Sequence, residues 1–244
     1  MRSYRQLGNL RLKDLDPGRV FLHKADDTPW LSTYLADGML RLATQGRKEK
    51  IRIYDPFVGN GTIFAAAQVK YSDSIEHMYG WDIKPVSVDV AVRNMDLLTD
   101  SRSIEGRFGE MKYGQETEYI LRQVFKLYNK SSQRARIPVT IQEGNALFLE
   151  LDGIGDNDVL VTDPPYGIHS SWVLGENYTC KEDLFEISDW LLICFLENAV
   201  EQNFKKAVMA VSGRPEPIGI VQRFFDVEEG HKVKGRYIFS GKTR

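Results

Sequence analysis

The sequence predicts an α/β protein with a doubly wound, mostly parallel sheet, helices on both faces and an antiparallel terminal strand. Two observations favour this fold class. From Lys50 onward, short β-branched or apolar runs alternate with helical patterns, which is typical of parallel strands joined by right-handed helical crossovers. The 244 residues, 42% of them hydrophobic, suit one large globular domain, so disorder, collagen and coiled coil are excluded as the main plan.

The elements follow in order from this alternation. Strands are expected at 51–54, 77–81, 139–143, 159–162 and 207–211, with a terminal pair near 225–228 and 236–239. Helices are expected at about 61–70, 85–98, 181–201 and 218–224, and an earlier one at 30–43.

The interval from Asp100 to Arg136 is too long for a simple connection, and predicts a helix of its own at about 115–130. We therefore expect a single domain over residues 1–244. It consists of a basic N-terminal extension (1–49), a core (50–99 and 138–244) and a helical insertion (100–137).

The first predicted strand runs into a Gly-x-Gly turn that opens a helix. The stretch reads Asp55-Pro56-Phe57-Val58-Gly59-Asn60-Gly61-Thr62, and glycines in such a turn let backbone amides approach a ligand closely. A dinucleotide site requires a third glycine where this sequence has Phe64, so NAD binding is disfavoured. The acid at Asp55 suits instead a cofactor with a cationic amino group, such as S-adenosylmethionine.

Two further polar positions follow the next strands. Asp82 ends the second predicted strand, where a carboxylate can accept hydrogen bonds from both ribose hydroxyls of a nucleoside. Asn145 and Ala146 follow the third strand, and the Asn145 amide can both accept from and donate to an adenine edge. An ordinary Gly-Asn turn explains that pair equally well. The predicted cofactor-binding residues are Asp55, Pro56, Gly59, Gly61, Thr62, Asp82, Asn145 and Ala146.

The most specific motif follows the fourth predicted strand and reads Asp163-Pro164-Pro165-Tyr166-Gly167. A buried strand delivers it to the carboxyl edge of the sheet, where open α/β folds bind their ligands. Asp-Pro-Pro-Tyr resembles the signature of enzymes that methylate amino groups of aromatic bases. That resemblance implies that the Asp163 carboxylate and the Pro164 carbonyl accept the N–H groups of an exocyclic amine, whose lone pair is otherwise delocalised into the ring. Tyr166 can stack on the base, a contact worth ~1–3 kcal/mol. Pro165 and Gly167 are expected beside the substrate, and no metal is required.

The order of these motifs resembles that of class I S-adenosylmethionine-dependent methyltransferases, a Rossmann-like group in which Asp-Pro-Pro-Tyr marks enzymes that methylate amino groups of aromatic bases. With Ser3-Tyr4-Arg5 and Val20-Phe21-Leu22-His23, the chain resembles the AviRa family of large-subunit rRNA guanine methyltransferases. That resemblance implies cofactor contacts at Asp55, Gly59, Gly61 and Asp82, and a target-base pocket at Asp163 and Tyr166.

The expected function is S-adenosylmethionine-dependent methylation of a base nitrogen in RNA, with guanine in 23S-type rRNA as the favoured target. A DNA adenine-N6 or cytosine-N4 methyltransferase and a non-catalytic RNA-binding factor remain alternatives.

The distribution of charge also favours an RNA partner, although the net charge is −2. Residues 1–50, 101–137 and 204–244 carry net charges of +4, +4 and +5, whereas residues 138–203 carry −12. Such asymmetry is more informative about partners than the total. Arg134 and Arg136 are expected substrate contacts in the middle basic segment, although solvated helix faces produce similar patterns.

Nothing in the sequence indicates a membrane, an export signal or a metal. The longest apolar run, from Trp190 to Leu196, has seven residues, whereas a bilayer span needs roughly 20. The first residues lack the apolar stretch of a signal peptide. Cys180 and Cys194 have no metal-ligand spacing. We expect a cytoplasmic protein with no metal and no membrane partner.

Overall fold

The computed structural model describes residues 16, 18, 21–26, 28–99, 101–110, 122, 126, 128–129, 135–165, 184–233 and 235–244. In chain order its elements are α1 (Thr33–Thr44), β1 (Ile51–Asp55), α2 (Thr62–Lys70), β2 (Ile75–Asp82), α3 (Pro85–Leu97), α4 (Ser101–Glu110), β3 (Val139–Glu143), β4 (Asp158–Thr162), α5 (Leu184–Glu201), β5 (Lys206–Ser212), α6 (Pro215–Phe224), β6 (Phe225–Val233) and β7 (Arg236–Thr243).

The strands form a single sheet in the order β3-β2-β1-β4-β5-β7-β6. Strands β1 to β5 run parallel to one another, while β7 runs antiparallel to both β5 and β6. The predicted fold class is therefore confirmed. Strand β6 continues five residues beyond the predicted end at 228 and pairs with β7 as far as Val233. Its second half is polar and exposed, as expected of an edge strand, so the sequence there lacks an apolar pattern.

Two apolar layers cover the sheet. On one face, Met39 of α1 and Phe64 of α2 pack with Ile53 of β1, and all three side chains are fully buried. On the other face, Leu196 of α5 packs with Leu160 of β4. Helix α1 lies within the basic N-terminal stretch and is part of the core. Because helices cover both faces, the carboxyl ends of the strands are left as the place for a ligand.

The interval between α3 and β3 differs from its predicted form. Helix α4 begins at Ser101 and was not predicted. Its sequence has only two large apolar residues, Ile104 and Phe108, which is too weak a pattern to indicate a helix. The predicted helix at 115–130 lies mostly outside the described residues. Its buried Tyr128 stacks on Phe21, with ring centroids 4.6 Å apart. This described part of the insertion therefore packs against the N-terminal part of the chain.

Helix α5 carries the longest apolar run of the sequence. Its side chains Leu192, Phe195 and Leu196 pack in the core, while Trp190 is exposed. Neither this helix nor any other in the described ranges is long and apolar enough to cross a membrane.

Candidate active site

The carboxyl ends of β1, β2, β3 and β4 converge on one cleft at the edge of the sheet. Because parallel strands end on the same edge, residues far apart in sequence meet there. The predicted residues that line this cleft are Asp55, Pro56, Gly59, Thr62, Asp82, Asn145, Ala146, Asp163 and Pro165. The sheet thus brings seven of the eight predicted cofactor residues and the start of the Asp-Pro-Pro-Tyr motif into one site. The eighth, Gly61, lies in the turn but does not line the cleft.

The glycine turn between β1 and α2 depends on backbone conformations that side chains disfavour. Gly59 and Gly61 have φ angles of +53° and +73°, in the left-handed region that glycine adopts readily. A Cβ on Gly61 would also come within 3.2 Å of the Ala91 side chain. The Gly59 N–H donates a 3.0 Å hydrogen bond to Oδ2 of Asp82, which ties the turn to the end of β2.

Asp82 is held in place by backbone amides. Its Oδ1 accepts the Lys84 N–H at 2.9 Å, and its Oδ2 accepts the Gly59 N–H. Burial raises the pKa of Asp82, while these two hydrogen bonds act in the opposite direction. Each carboxylate oxygen can accept more than one hydrogen bond, so Asp82 can bind ribose hydroxyls without leaving its backbone partners.

Asp55 is 2% exposed at the end of β1. Burial raises the pKa of its carboxyl to about 7, aided by the negative charges of Asp163 and Asp82 and opposed by two hydrogen bonds. Both of those bonds end on Oδ1, from the Phe57 N–H at 3.1 Å and the Thr162 hydroxyl at 2.6 Å. Among the described residues, none donates to Oδ2. Because the pKa of Asp55 lies near neutrality, a cationic ligand group in the cleft would shift this carboxyl to its ionised form.

Thr162 was not predicted as a site residue. Its hydroxyl follows a run of apolar residues in β4, which is fully buried. A hydroxyl inside a buried strand needs a hydrogen-bond partner, and this was the available signal. Through its bond to Asp55, Thr162 joins the glycine turn to the motif that begins at the next residue, Asp163.

Asn145 reaches the cleft as part of a local turn. Its Oδ1 accepts the Leu147 N–H at 3.1 Å, and its carbonyl accepts the Phe148 N–H at 2.9 Å. Gly144 precedes it, and a Cβ there would lie 2.7 Å from Trp81. The Asn145 amide oxygen is thus already engaged, and a contact to adenine would have to share it or use the amide nitrogen.

Asp163 forms an ion pair that the sequence did not predict. Its Oδ2 accepts a 3.0 Å hydrogen bond from Nη1 of Arg236, at the start of β7. The two side chains are 16% and 20% exposed, and both residues line the cleft. No motif marks Arg236, because the contact spans 73 residues of sequence.

The other residues of the catalytic motif are only partly placed. Pro165 lines the cleft, whereas Pro164 lies against a smaller neighbouring cavity with Leu192 and Ser212. Tyr166 and Gly167 lie outside the described residues.

A further wall of the cleft comes from residues 21–26 and 28–31, here termed the N-terminal strap. The Ala25 N–H donates to Oδ1 of Asn60 at 2.8 Å. Asn94, fully buried in α3, donates to the carbonyls of His23 and Asn60 at 3.0 and 2.8 Å. In the sequence, this network is indicated only by Asn94, a polar residue among the apolar residues on the buried face of α3. The strap residues that line the cleft are Thr28, Pro29 and Leu31.

Arg136 is not part of the cleft. It precedes β3, so it lies at the amino edge of the sheet, separated from the carboxyl edge by the five residues of that strand, or about 17 Å. Its side chain is 58% exposed and lies 3.8 Å from Asp96. Arg134 is outside the described residues.

The chemistry of the cleft fits S-adenosylmethionine. Its ammonium group and its ribose hydroxyls need hydrogen-bond acceptors, and the carboxyls of Asp55 and Asp82 line the cleft. The described ranges contain no group of three or more His, Cys, Asp and Glu side chains that could hold a metal ion.

Comparisons with solved structures agree with this architecture. Two crystal structures of the rRNA methyltransferase AviRa from Streptomyces viridochromogenes are 19% and 18% identical, with TM-scores of 0.63 and 0.61. Each match covers 91% of this chain and 89% of the other. A protein from Pyrococcus horikoshii with a provisional assignment as an RNA methyltransferase is 14% identical over 96% of this chain and 99% of its own, with a TM-score of 0.53. At these identities the likeness establishes the shared fold.

The family follows from the sequence itself. A family model described as rRNA methyltransferase AviRa matches residues 4–200, which is most of the chain. A search of curated proteins with this chain found no significant match. The resemblance inferred from the motifs is thereby confirmed, and the chain belongs to the AviRa family of S-adenosylmethionine-dependent rRNA methyltransferases.

Proposed function

We propose that this protein transfers a methyl group from S-adenosylmethionine to a nitrogen of a guanine base in large-subunit rRNA. The observation that carries the proposal is the position of Asp163, which lines the same cleft as Asp55 and Asp82. A base-binding acceptor and a cofactor-binding site thus share one opening. Family membership supports rRNA as the substrate class.

The cofactor half of the cleft consists of the glycine turn and the ends of β1, β2 and β3. We assign Asp55 to the cofactor ammonium and Asp82 to the ribose, while Asn145 and Ala146 flank the adenine. The turn is shaped by Pro56, Gly59, Gly61 and Thr62.

When bound, S-adenosylmethionine supplies an electrophilic methyl group on a sulfonium. The sulfur keeps the bonding electron pair when the cofactor leaves as S-adenosylhomocysteine.

The base half is formed by the residues after β4. The Asp163 carboxylate accepts an N–H of the target base and draws the lone pair of that nitrogen out of conjugation. The nitrogen attacks the methyl group and then releases one proton to solvent water. Proline residues restrict the backbone around this acceptor, so it is preorganised. The Pro164 carbonyl as second acceptor, with Tyr166 and Gly167 beside the base, remains a prediction from sequence.

Substrate RNA also requires contacts outside the cleft. Exposed basic residues on and beyond α3 and α4 are Arg93, Arg102, Arg122, Lys126 and Arg136. Phosphate contacts increase affinity without contributing to the chemistry, and a large rRNA can reach the amino edge of the sheet. We assign Arg136, with Arg134, to such peripheral contacts.

Methyl transfer from labelled S-adenosylmethionine tests the proposal. Protein-free large-subunit rRNA and duplex DNA are offered separately, and the labelled product is digested to nucleosides. We expect label in the RNA and its recovery as methylguanosine. Label in DNA adenine or cytosine would support the DNA methyltransferase alternative. Tight RNA binding with no label in any nucleic acid would support the non-catalytic alternative.

A further inference from the structure

The ion pair between Asp163 and Arg236 lies where methyl transfer is proposed to occur. A largely buried carboxylate needs a partner in any protein, so the pair also has a structural explanation. Its place in the cleft, however, connects Arg236 to the group that is expected to accept the target N–H.

Arg236 is held by the sheet and not by a loop. It pairs in register with Ser212 at the carboxyl end of β5. One residue further, the Gly213 N–H donates to the Gly235 carbonyl at 2.9 Å, and a Cβ on Gly213 would lie 3.0 Å from that oxygen. This glycine contact lets β7 begin at the edge of the cleft. Both partners of the ion pair therefore extend from strand ends, which are rigid supports for a functional group.

The hydrogen bond restricts the orientation of the carboxylate. The terminal torsion of aspartate is broad and roughly two-fold, so an unrestrained carboxylate would sample many directions. A charge-assisted hydrogen bond at 3.0 Å holds one oxygen and thereby sets the plane of the group.

The charge of Arg236 matters as well as its hydrogen bond. Three carboxylates, those of Asp55, Asp82 and Asp163, line one cleft, and neighbouring like charges disfavour joint ionisation. A protonated Asp163 would present a donor instead of an acceptor on one oxygen. A guanidinium beside Asp163 favours its ionised, accepting form.

We propose that Arg236 is a positioning residue for methyl transfer, which acts by orienting the Asp163 carboxylate and keeping it ionised. This inference rests on the proposed role of Asp163 as the acceptor for the target base. It assigns to Arg236 an effect on the rate of transfer and not on cofactor binding.

Single-turnover transfer from labelled S-adenosylmethionine to an rRNA fragment, at saturating concentrations of both, is the first test. For Arg236→Gln we expect the rate to fall about 10- to 100-fold, the loss typical of one hydrogen bond to a charged group. Dissociation constants for cofactor and RNA should stay within about three-fold of wild type, because Arg236 acts on the reacting geometry. Arg236→Lys should recover part of the rate, since lysine keeps the charge but not the planar donor fork.

Arg214 provides a matched control. It forms a comparable ion pair with Asp189 at 2.7 Å, with 27% and 19% of the side chains exposed. Neither of these residues lines the cleft. Arg214→Gln should therefore lower the thermal unfolding temperature about as much as Arg236→Gln, while its rate stays within about three-fold of wild type.

A double-mutant cycle separates positioning from a merely structural role. If Arg236 acts through Asp163, Arg236→Gln should cost no more than about two-fold in an Asp163→Ala background. A full additional loss there, or an unchanged rate in Arg236→Gln, would overturn the inference. If Arg236→Gln does not fold, Arg236→Lys takes its place in the same cycle. Full activity of Asp163→Ala alone would instead overturn the proposed role of Asp163, so the two failures are distinguishable.

Discussion

The two halves of the cleft are built in different ways. In the cofactor half, Asp55 and Asp82 each accept a hydrogen bond from a backbone N–H two residues later in the chain. In the base half, Asp163 is held by Arg236, 73 residues away. The first arrangement depends on local backbone geometry, and the second depends on the completed sheet. On the proposed roles of these residues, we expect cofactor binding and base positioning to be largely separable.

A hydrogen bond joins the two halves. The Thr162 hydroxyl donates to Asp55 at 2.6 Å, and Thr162 directly precedes Asp163. A change in one half should therefore affect the other weakly, through this contact and through the charges of the neighbouring carboxylates. The following substitutions test that separation, beginning with the largest expected effect.

Replacement of Asp163 should separate the halves most completely. Asp163→Ala removes the proposed acceptor for the target N–H, and we expect a loss of about 10³-fold in single-turnover methyl transfer. Cofactor affinity, measured by calorimetry, should stay within about three-fold. Asp189→Ala is the control, because Asp189 is also paired with an arginine but lies outside the cleft. A loss of cofactor affinity equal to the loss of rate would show that the halves are not separable.

Replacement of Asp55 should affect the cofactor half and its pH dependence. The pKa of Asp55 is raised to about 7 by burial, and a cationic ammonium favours the ionised carboxylate. Cofactor affinity of the wild type should therefore rise with pH from about 6 to 7 and level off above about 7.5, with release of a proton on binding. Asp55→Asn should bind about 10- to 100-fold more weakly at pH 8, with little dependence on pH. Calorimetry in buffers of different ionisation enthalpy measures both quantities.

The stability of the unliganded protein checks the same carboxyl. Because the folded pKa of about 7 exceeds the ordinary value of 3.8, the stabilising contribution of Asp55 is fully present below about pH 4 and is lost as pH rises through 7. The free energy of unfolding of the wild type should fall more between pH 5 and 8 than that of Asp55→Asn. Parallel curves for the two proteins would show that Asp55 does not titrate in this range.

Asp82 should have a smaller effect. Asp82→Ala removes the proposed ribose contact and two backbone hydrogen bonds that support the turn. We expect cofactor affinity to fall about ten-fold, with little change in the rate of transfer once the cofactor is saturating. Asp96→Ala, an exposed acid outside the cleft, is the control. An unchanged affinity in Asp82→Ala would remove Asp82 from the site.

Replacement of Asn94 tests whether a long-range contact matters in the cofactor half. Its side chain joins the N-terminal strap to the glycine turn. Asn94→Ala should destabilise the protein by about 1–3 kcal/mol through unsatisfied buried groups. Cofactor affinity should weaken only a few-fold, because the backbone contacts of Asp82 and Asp55 remain. Denaturant unfolding and calorimetry measure the two effects, and unchanged stability would contradict the network.

The smallest effect on methyl transfer is expected for replacement of Arg136, which lies at the edge of the sheet opposite the cleft. Arg136→Glu, alone or with Arg134→Glu, should weaken RNA binding and lower the salt slope of the affinity by about one unit per lost phosphate contact. Transfer at saturating RNA and cofactor binding should not change, because Arg136 lies at the opposite edge of the sheet. Filter-binding titrations over a range of salt concentrations measure the slope. An unchanged slope would leave Arg136 as a solvated residue paired with Asp96.

The same contrast explains what could be predicted from the sequence. The positions of the parallel strands and the predicted cleft residues depend on local signals: apolar runs, the turn at Gly59 and Gly61, and the acids that end β1 and β2. The extent of β6 was underestimated, because an exposed edge strand lacks an apolar pattern. Arg236 could not be predicted, since only the pairing of β7 with β5 brings it to Asp163. Arg136 was expected near the substrate from charge alone, and charge does not specify an edge of the sheet.

Mapping of modified nucleotides in large-subunit rRNA by mass spectrometry tests the proposed function most directly. Cells that contain the wild-type protein are compared with cells that lack it and with cells that contain only Asp163→Ala. We expect a methylated guanine at one position with the wild type, and an unmethylated guanine at that position in the other two strains. Identical modification patterns in all three strains, or a methyl group that persists with Asp163→Ala, would contradict it.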